Sequence, residues 1–276
     1  MTLSPDASTL YGMTLQGGAY GYANGGGGYG TIFSIPVGGG TPTMLYSFDG
    51  TNGKYPVGSL TLSGSTLFGM TNQGGFDDYG TIFSIPVGGG TPMVLASFNG
   101  TNGANPWGDL TLIGSTLYGM AESGGTYGVG TIFSLLASGG TPTVLASFDR
   151  TTNGADPLGD LTLSPDRSTF YGMTETGGAY GYANGPNGYG TIFSIPVGGG
   201  PLTTLLSFNG TNGKLPHGSL TLSPDGRTLY GMATSGGDYG FGTIFSLTIP
   251  EPSTFALLGI GSAVFLAWGW WRRRGK

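Results

Sequence analysis

The sequence predicts an all-β fold, a β-propeller of about five four-stranded blades, and three observations lead to it. The pentapeptide Gly-Thr-Ile-Phe-Ser recurs five times, beginning at Gly30, Gly80, Gly130, Gly190 and Gly242, a period of 50 to 60 residues. Such a period belongs to propeller blades or solenoids. Each period holds four short runs of Thr, Ile, Val, Leu, Phe and Tyr, the residues that strands favour, separated by glycine-rich turns. Before the C-terminal tail, no stretch carries a helical period.

The third period illustrates the elements in order. Leu110 to Leu112 is the first strand. Ile113-Gly114-Ser115 turns the chain into a second, Thr116 to Met120. In other copies this hairpin reads Ser-Pro-Asp, as at Ser223 to Gly226. Proline presets the turn and Asp bonds its own backbone there. A loop opening at Gly124-Gly125 leads to the third strand, Thr131 to Leu135. A Gly-Gly-Thr-Pro turn leads to the fourth, Val144 to Phe148. Further landmarks recur with the same period. An aromatic residue precedes Gly-Met at Tyr11, Phe68, Tyr118, Tyr171 and Tyr230. Ser-Phe and Thr-Asn-Gly follow one another at Phe48, Phe98, Phe148 and Phe208. Pro-x-Gly follows at Pro56, Pro106, Pro157 and Pro216. The repeats fall at about 1–48, 49–98, 99–148, 149–208 and 209–247. Nineteen strands are expected where five full blades need twenty. The absent one is the Ser-Phe strand that would precede Met1, so either more sequence lies upstream or one blade is incomplete. An open β-solenoid is the alternative fold.

Composition narrows the function. The 276 residues include 59 glycines and 17 prolines, a share that without periodicity would suggest disorder. Only 8% are charged, there is no cysteine, and histidine occurs once. Thirteen of the fourteen acidic residues and five of the nine basic ones precede residue 248, so the body carries a net charge of −8. A nucleic-acid partner is excluded on that balance. Thiol chemistry is excluded by the lack of cysteine.

The end of the chain differs in kind. Pro250-Glu251-Pro252 precedes an uncharged apolar run from Phe255 to Trp271, followed by Arg272-Arg273-Arg274-Gly275-Lys276. At ~1.5 Å per helical residue a span over 253–271 reaches roughly 29 Å, enough for a bilayer core. Trp268, Trp270 and Trp271 stand where an interfacial aromatic belt belongs. Arg272, Arg273, Arg274 and Lys276 form the membrane stop, keeping the C-terminus cytoplasmic and the body outside. The triplet, the single span and the arginine cluster resemble the PEP-CTERM sorting signal of bacterial surface proteins. The resemblance implies an exosortase, a membrane-embedded cysteine protease, as the processing partner, with cleavage near Pro250 to Pro252. It also implies anchoring in the inner membrane during sorting, then delivery to the cell surface, outer membrane or exterior. Residues 1 to 247, through Leu-Tyr-Gly-Met, Gly-Gly and Gly-Thr-Ile-Phe-Ser, resemble the glycine-rich GloVer tandem repeats of bacterial surface proteins, often found ahead of interchangeable C-terminal anchors. An exported body needs an N-terminal signal peptide. The chain opens instead in repeat sequence, Met1-Thr2-Leu3-Ser4-Pro5-Asp6, which implies an incomplete N-terminus.

Catalysis needs one copy to depart from the others toward a chemical residue. His217 replaces Val57, Trp107 and Leu158 in a slot that is otherwise apolar, and reads as a packing or surface variant. Asp77 and Asp78 are adjacent in a glycine loop. Asp109 and Asp160 share a slot with Ser59 and Ser219. Asp6, Asp166 and Asp225 sit in hairpin turns. No pair is singled out for the two-carboxylate chemistry of glycoside hydrolysis. The Asp49-Gly50-Thr51-Asn52-Gly53 segment lacks the alternating carboxylates of a calcium loop. No catalytic residue, metal site or cofactor is therefore expected. The candidate ligand-binding residues are the loop tyrosines Tyr20, Tyr22, Tyr127, Tyr180, Tyr182 and Tyr239, whose flat faces and hydroxyl edges suit sugars and protein partners. Packing of these rings between blades is the plainer reading. Residues 17–40 and 177–200 differ only at Gly26/Pro186 and Gly27/Asn187, and such near-identity favours a multivalent scaffold. The expected function is a structural or adhesive role at the cell surface or in the extracellular matrix. A glycan-binding propeller with polysaccharide as partner is the first alternative. A carbohydrate-active propeller enzyme is the second.

Overall fold

The computed structural model describes residues 1–22, 26–181 and 187–249, and these form five four-stranded antiparallel sheets in chain order. The first blade comprises β1 (Thr2–Leu3), β2 (Thr9–Thr14), β3 (Thr31–Pro36) and β4 (Thr43–Ser47). The second comprises β5 (Lys54–Ser63), β6 (Thr66–Gln73), β7 (Thr81–Pro86) and β8 (Met93–Ser97). The third comprises β9 (Ala104–Ile113), β10 (Thr116–Ser123), β11 (Thr131–Leu136) and β12 (Thr143–Ser147). The fourth comprises β13 (Thr162–Leu163), β14 (Thr169–Thr174), β15 (Thr191–Pro196) and β16 (Thr203–Ser207). The fifth comprises β17 (Lys214–Pro216), β18 (Thr221–Leu222), β19 (Thr228–Ser235) and β20 (Thr243–Thr248). In that last sheet β17 and β18 both pair with β19, as two pieces of one inner strand, and β20 takes its other edge. Among the described residues the fifth blade therefore has no counterpart of β4, β8, β12 and β16.

The register explains two of the sequence landmarks together. The glycine of aromatic-Gly-Met lies opposite the phenylalanine of Gly-Thr-Ile-Phe-Ser, as Gly119 opposite Phe133 and Gly69 opposite Phe83. The ring folds over that glycine, and a Cβ on Gly119 would stand 2.7 Å from Phe133 Cζ. The inner strands run further than the sequence predicts: β9 starts at Ala104 and absorbs Pro106. A bulge makes this possible. Between the pairs Tyr118↔Thr111 and Met120↔Trp107 the inner strand carries extra residues, Gly108 to Leu110. Gly108 lies against Gly159 of the next blade, whereas Leu110 packs on blade two.

Four apolar clusters hold the blades together, each one formed between neighbours. The forward face of blade one, with Tyr11, Ile32 and Phe48, packs on the backward face of blade two, with Leu60, Leu67, Phe83 and Ile85. The next three junctions repeat this arrangement. In each junction a Ser-Phe ring meets the phenylalanine of the following blade edge-on: Phe48–Phe83 at 5.3 Å, and Phe98–Phe133, Phe148–Phe193 and Phe208–Phe245 at 5.1 Å. Phe48, Phe98, Phe148 and Phe208 are all fully buried. Each contributes about 1.5–3 kcal/mol by leaving water, and the edge-to-face geometry adds roughly 0.5–1.5 kcal/mol. No such core joins blade five to blade one among the described residues. Met232 and Ile244 on the forward face of blade five are exposed, so the blades form an open propeller arc.

Candidate functional site

In a four-stranded meander the loops alternate sides. The β1–β2 and β3–β4 hairpins of blade one share one side, while the glycine-rich β2–β3 loop and the link to the next blade share the other. Backbone bonds bind the last two loop types together: Gly75 N–H donates to Gly50 O at 3.2 Å, Gly125 to Gly100 O, Gly178 to Arg150 O and Gly237 to Gly210 O, each of these at 2.8 Å. The linking loops are closed on themselves. Asp49 Oδ1 accepts from the Thr51 amide and hydroxyl, and Asn99 Oδ1 does the same for Thr101. Asn102 Oδ1 in turn accepts from Asn99 N–H. Turn formation thus occupies Asp49, the residue a calcium reading would need. Among the described residues no group of three or more acidic or histidine side chains is placed to hold a metal ion.

On this loop side each blade presents an exposed aromatic ring just after its double glycine. Tyr20, Phe76, Tyr127, Tyr180 and Tyr239 are between 51% and 92% exposed, and Tyr22 is also exposed. Glycine is required at the loop's base. Gly124 and Gly125 have φ of +81° and +77°, and a Cβ on Gly124 would meet Gly100 O at 2.4 Å. Five of the six tyrosines expected to bind, Tyr20, Tyr22, Tyr127, Tyr180 and Tyr239, thus project to solvent. Tyr182 lies outside the described residues. Phe76 completes the series one position nearer its double glycine. The packing role falls to a different ring of the same loops. Tyr29 meets Tyr55 of the next blade edge-on at 6.1 Å under the Lys54 ammonium, and Tyr189 sits 5.8 Å from the Lys214 ammonium.

A second polar arrangement runs along the inner strands. Ser59 N–H donates to Asp109 Oδ1, Asp109 N–H to Asp160 Oδ1 at 2.6 Å, and Asp160 N–H to Ser219 Oγ at 3.2 Å. The slot shared by Ser59, Asp109, Asp160 and Ser219 is therefore an inter-blade ladder, set up by the bulge. Burial pushes the Asp109 carboxyl above its ordinary value, and the neighbouring Asp160 charge pushes in the same direction. Sequence inspection identified the slot but not its use, because the bulge that aims it depends on pairing.

Asp156 accepts from the Thr176 hydroxyl at 2.6 Å, and burial pushes the Glu122 carboxyl above its ordinary value, with the Asp156 and Glu175 charges pushing the same way. Other carboxylates serve turns. Asp78 Oδ1 accepts from Gly74 N–H at 2.8 Å, and Asp78 pairs with Lys54 at 3.0 Å. Ser4 hydroxyl donates to Asp6, Ser164 to Asp166 and Ser223 to Asp225, and these bonds hold the three carboxyls below the ordinary value. His217 is exposed. A cavity of about 520 Å³ between blades three and four, lined by Tyr118, Leu136, Leu145 and Val197, contains no charged group.

Residues 2–184, two thirds of the chain, match the Gloeobacter/Verrucomicrobia repeat. The chain belongs to that repeat family. Residues 248–274 of this repeat protein match the PEP-CTERM protein-sorting motif. It is thus an exported protein whose C-terminal signal directs membrane-anchored sorting to the cell surface by an exosortase. Pro250, Glu251, Pro252, the expected span 253–271 and the stop residues Arg272, Arg273, Arg274 and Lys276 lie outside the described residues. Among the described ones no helix is long and apolar enough to cross a membrane. No curated protein matches the repeat protein. Solved structures with a similar fold include the nidogen/laminin complex, at 15% identity and TM-score 0.52, covering 86% of this chain and 74% of that one. TolB from Acinetobacter baumannii is 18% identical with TM-score 0.50, covering 89% and 54%. A GH74 enzyme from Niastella koreensis is 21% identical with TM-score 0.56, covering 88% of this chain and 35% of that one. At these identities the likeness concerns the fold alone.

Proposed function

We propose that the repeat protein is a structural and adhesive component of the cell surface or extracellular matrix, and not an enzyme. Its body, residues 1–247, is the cargo, and residues 248–276 are the sorting signal with a transient membrane span over 253–271. Exosortase cleavage near Pro250 to Pro252 releases the body to the outer surface. The observation that carries the adhesive reading is the exposed aromatic ring placed just after the double glycine in every blade, on one side of the arc. Repeated weak contacts on a rigid support gain strength from avidity. Extracellular polysaccharide is the favoured ligand, because an aromatic face stacks on a sugar ring while the hydroxyl edge bonds its hydroxyls. Asp6, Asp49, Asp78, Asp166 and Asp225 contribute to turns and Asp109 and Asp160 to the inter-blade ladder, which favours binding over hydrolysis.

Binding of the full chain to a panel of matrix polysaccharides tests this reading. Retention by at least one polysaccharide, reduced about fivefold for each of Tyr20→Ala, Tyr127→Ala and Tyr239→Ala, is expected if each ring contributes roughly 1 kcal/mol. Sugar release from any of those polysaccharides would instead establish an enzyme.

A further inference from the structure

We propose that the cavity between blades three and four is a binding site for a small neutral saccharide. It is lined by the β11–β12 and β15–β16 hairpins, on the side of the blades opposite the aromatic loops, so the inference stands apart from the adhesive reading. Its floor is a row of side chains across blade three. Tyr118 on β10 pairs with Ser134 on β11, and Ser134 pairs with Thr143 on β12. Residues directly opposite on neighbouring strands share a face, so the three side chains stand together. Phe170 of blade four holds the Tyr118 ring at 5.0 Å. Leu145 and Val197 supply apolar walls. Among the described residues the hydroxyls of Tyr118, Ser134 and Thr143 have no hydrogen-bond partner.

Blade one has the same row in Tyr11, Ser34 and Thr43, so the row alone does not make the site. What sets this junction apart is the turn above it. Where blades one to three read Gly-Thr-Pro, blade four reads Gly200-Pro201-Leu202. In the first two junctions the turn is bonded to the blade behind it. Gly90 N–H donates to Leu45 O at 3.4 Å and Gly140 N–H to Leu95 O at 3.0 Å, whereas Gly200 makes no such bond to Leu145 O. A Cβ built on Gly89 or Gly139 would stand 3.0 Å from the Leu45 or Leu95 oxygen, but one on Gly199 would stand 3.5 Å from Leu145 O. The turn of blade four thus stands off from blade three. Tyr11 and Phe68, the counterparts of Tyr118 in the first two junctions, are at most 8% exposed, while Tyr118 is only partly buried.

The lining selects the occupant. At about 520 Å³ the cavity lies within the ~300–1,000 Å³ of small-molecule sites. No charged group lines it, so a carboxylate or phosphate would lose its hydration with nothing to replace it. A purely apolar molecule would leave the hydroxyls unpaired. A sugar ring meets both demands: its C–H face packs on Tyr118, Leu145 and Val197 while its hydroxyls bond Ser134 and Thr143.

The test titrates the full chain with methyl glucoside, methyl galactoside and methyl mannoside, followed by saturation-transfer NMR. A detergent without a sugar head group, such as lauryldimethylamine oxide, keeps the site free. At least one of these glycosides is expected to bind. Gly198→Phe should abolish that binding, because Gly198 lines the cavity and a Cβ there meets nothing within 4 Å. Thr143→Val alters an exposed side chain, keeps its shape and removes one hydroxyl, and should weaken binding about fivefold. Unchanged circular dichroism spectra show that the variants fold, and Thr143→Val decides alone if Gly198→Phe does not. Binding of none of the glycosides would overturn the proposal. So would binding that survives Gly198→Phe in the folded protein, or equal affinity of Thr143→Val and the wild type.

Discussion

Gly119 shows how much one missing side chain can decide. Its φ is not in the left-handed region, so its role is steric: Phe133 occupies the space of a Cβ. Gly119→Ala forces that ring out of the third junction and is expected to destabilise the protein by about 1–3 kcal/mol, measurable as a lower Tm. Ala7 makes the opposite case. It is exposed with φ +55°, at a hairpin position that Gly226 fills in blade five with φ +72°. A left-handed conformation costs a residue with a Cβ roughly 1–2 kcal/mol, and the added unfolded-state freedom of glycine offsets part of the relief. Ala7→Gly should therefore raise stability by up to about 1 kcal/mol, and an unchanged or lower Tm would refute this. Asp109 has a pH signature. Its folded-state pKa lies above the ordinary 3.8, so the native state holds the proton more tightly than the unfolded chain does. Stability then falls as pH rises through that window. Asp109→Asn keeps an acceptor for Ser59 N–H and removes the charge. Its melting temperature should exceed that of the wild type at neutral pH, and the difference should vanish well below pH 3.8.

Blade strands depend on contacts that a single strand does not reveal. The hydroxyls of Thr71 and Thr81 are 2.8 Å apart across β6 and β7, and Thr81 also reaches Asn52 O at 3.0 Å. Three segments distant in sequence thus converge on one buried hydroxyl. Thr81→Val preserves the shape but leaves Asn52 O without that donor, and should cost about 1–3 kcal/mol. This convergence also explains why the threonine belongs to the recurring pentapeptide. The lengths of the inner strands were not legible in the sequence, because Pro106 and Gly108 read as strand breakers. The bulge accommodates both, and that geometry exists only once β10 is alongside.

Across the whole molecule, each blade leans only on its neighbours, so stability is a sum of blade and junction terms along the arc. Among the described residues blade five has one junction and no outer strand. Hydrogen exchange should therefore be fastest in β19 and β20 and slowest in blades two to four, whereas uniform exchange would contradict a linear array. The sequence by itself determined the all-β class, the blade count, the repeat landmarks and the sorting signal. These are local: turn chemistry, strand propensity and a fixed period are written in consecutive residues. Only the tertiary structure decided that the Ser-Phe rings sit between blades, that Asp109 and Asp160 form a ladder, and that Tyr29 packs where Tyr20 does not. The physical reason is that burial belongs to pairs of blades: among the described residues the same Ile is core at 192, where a blade follows, and surface at 244, where none does.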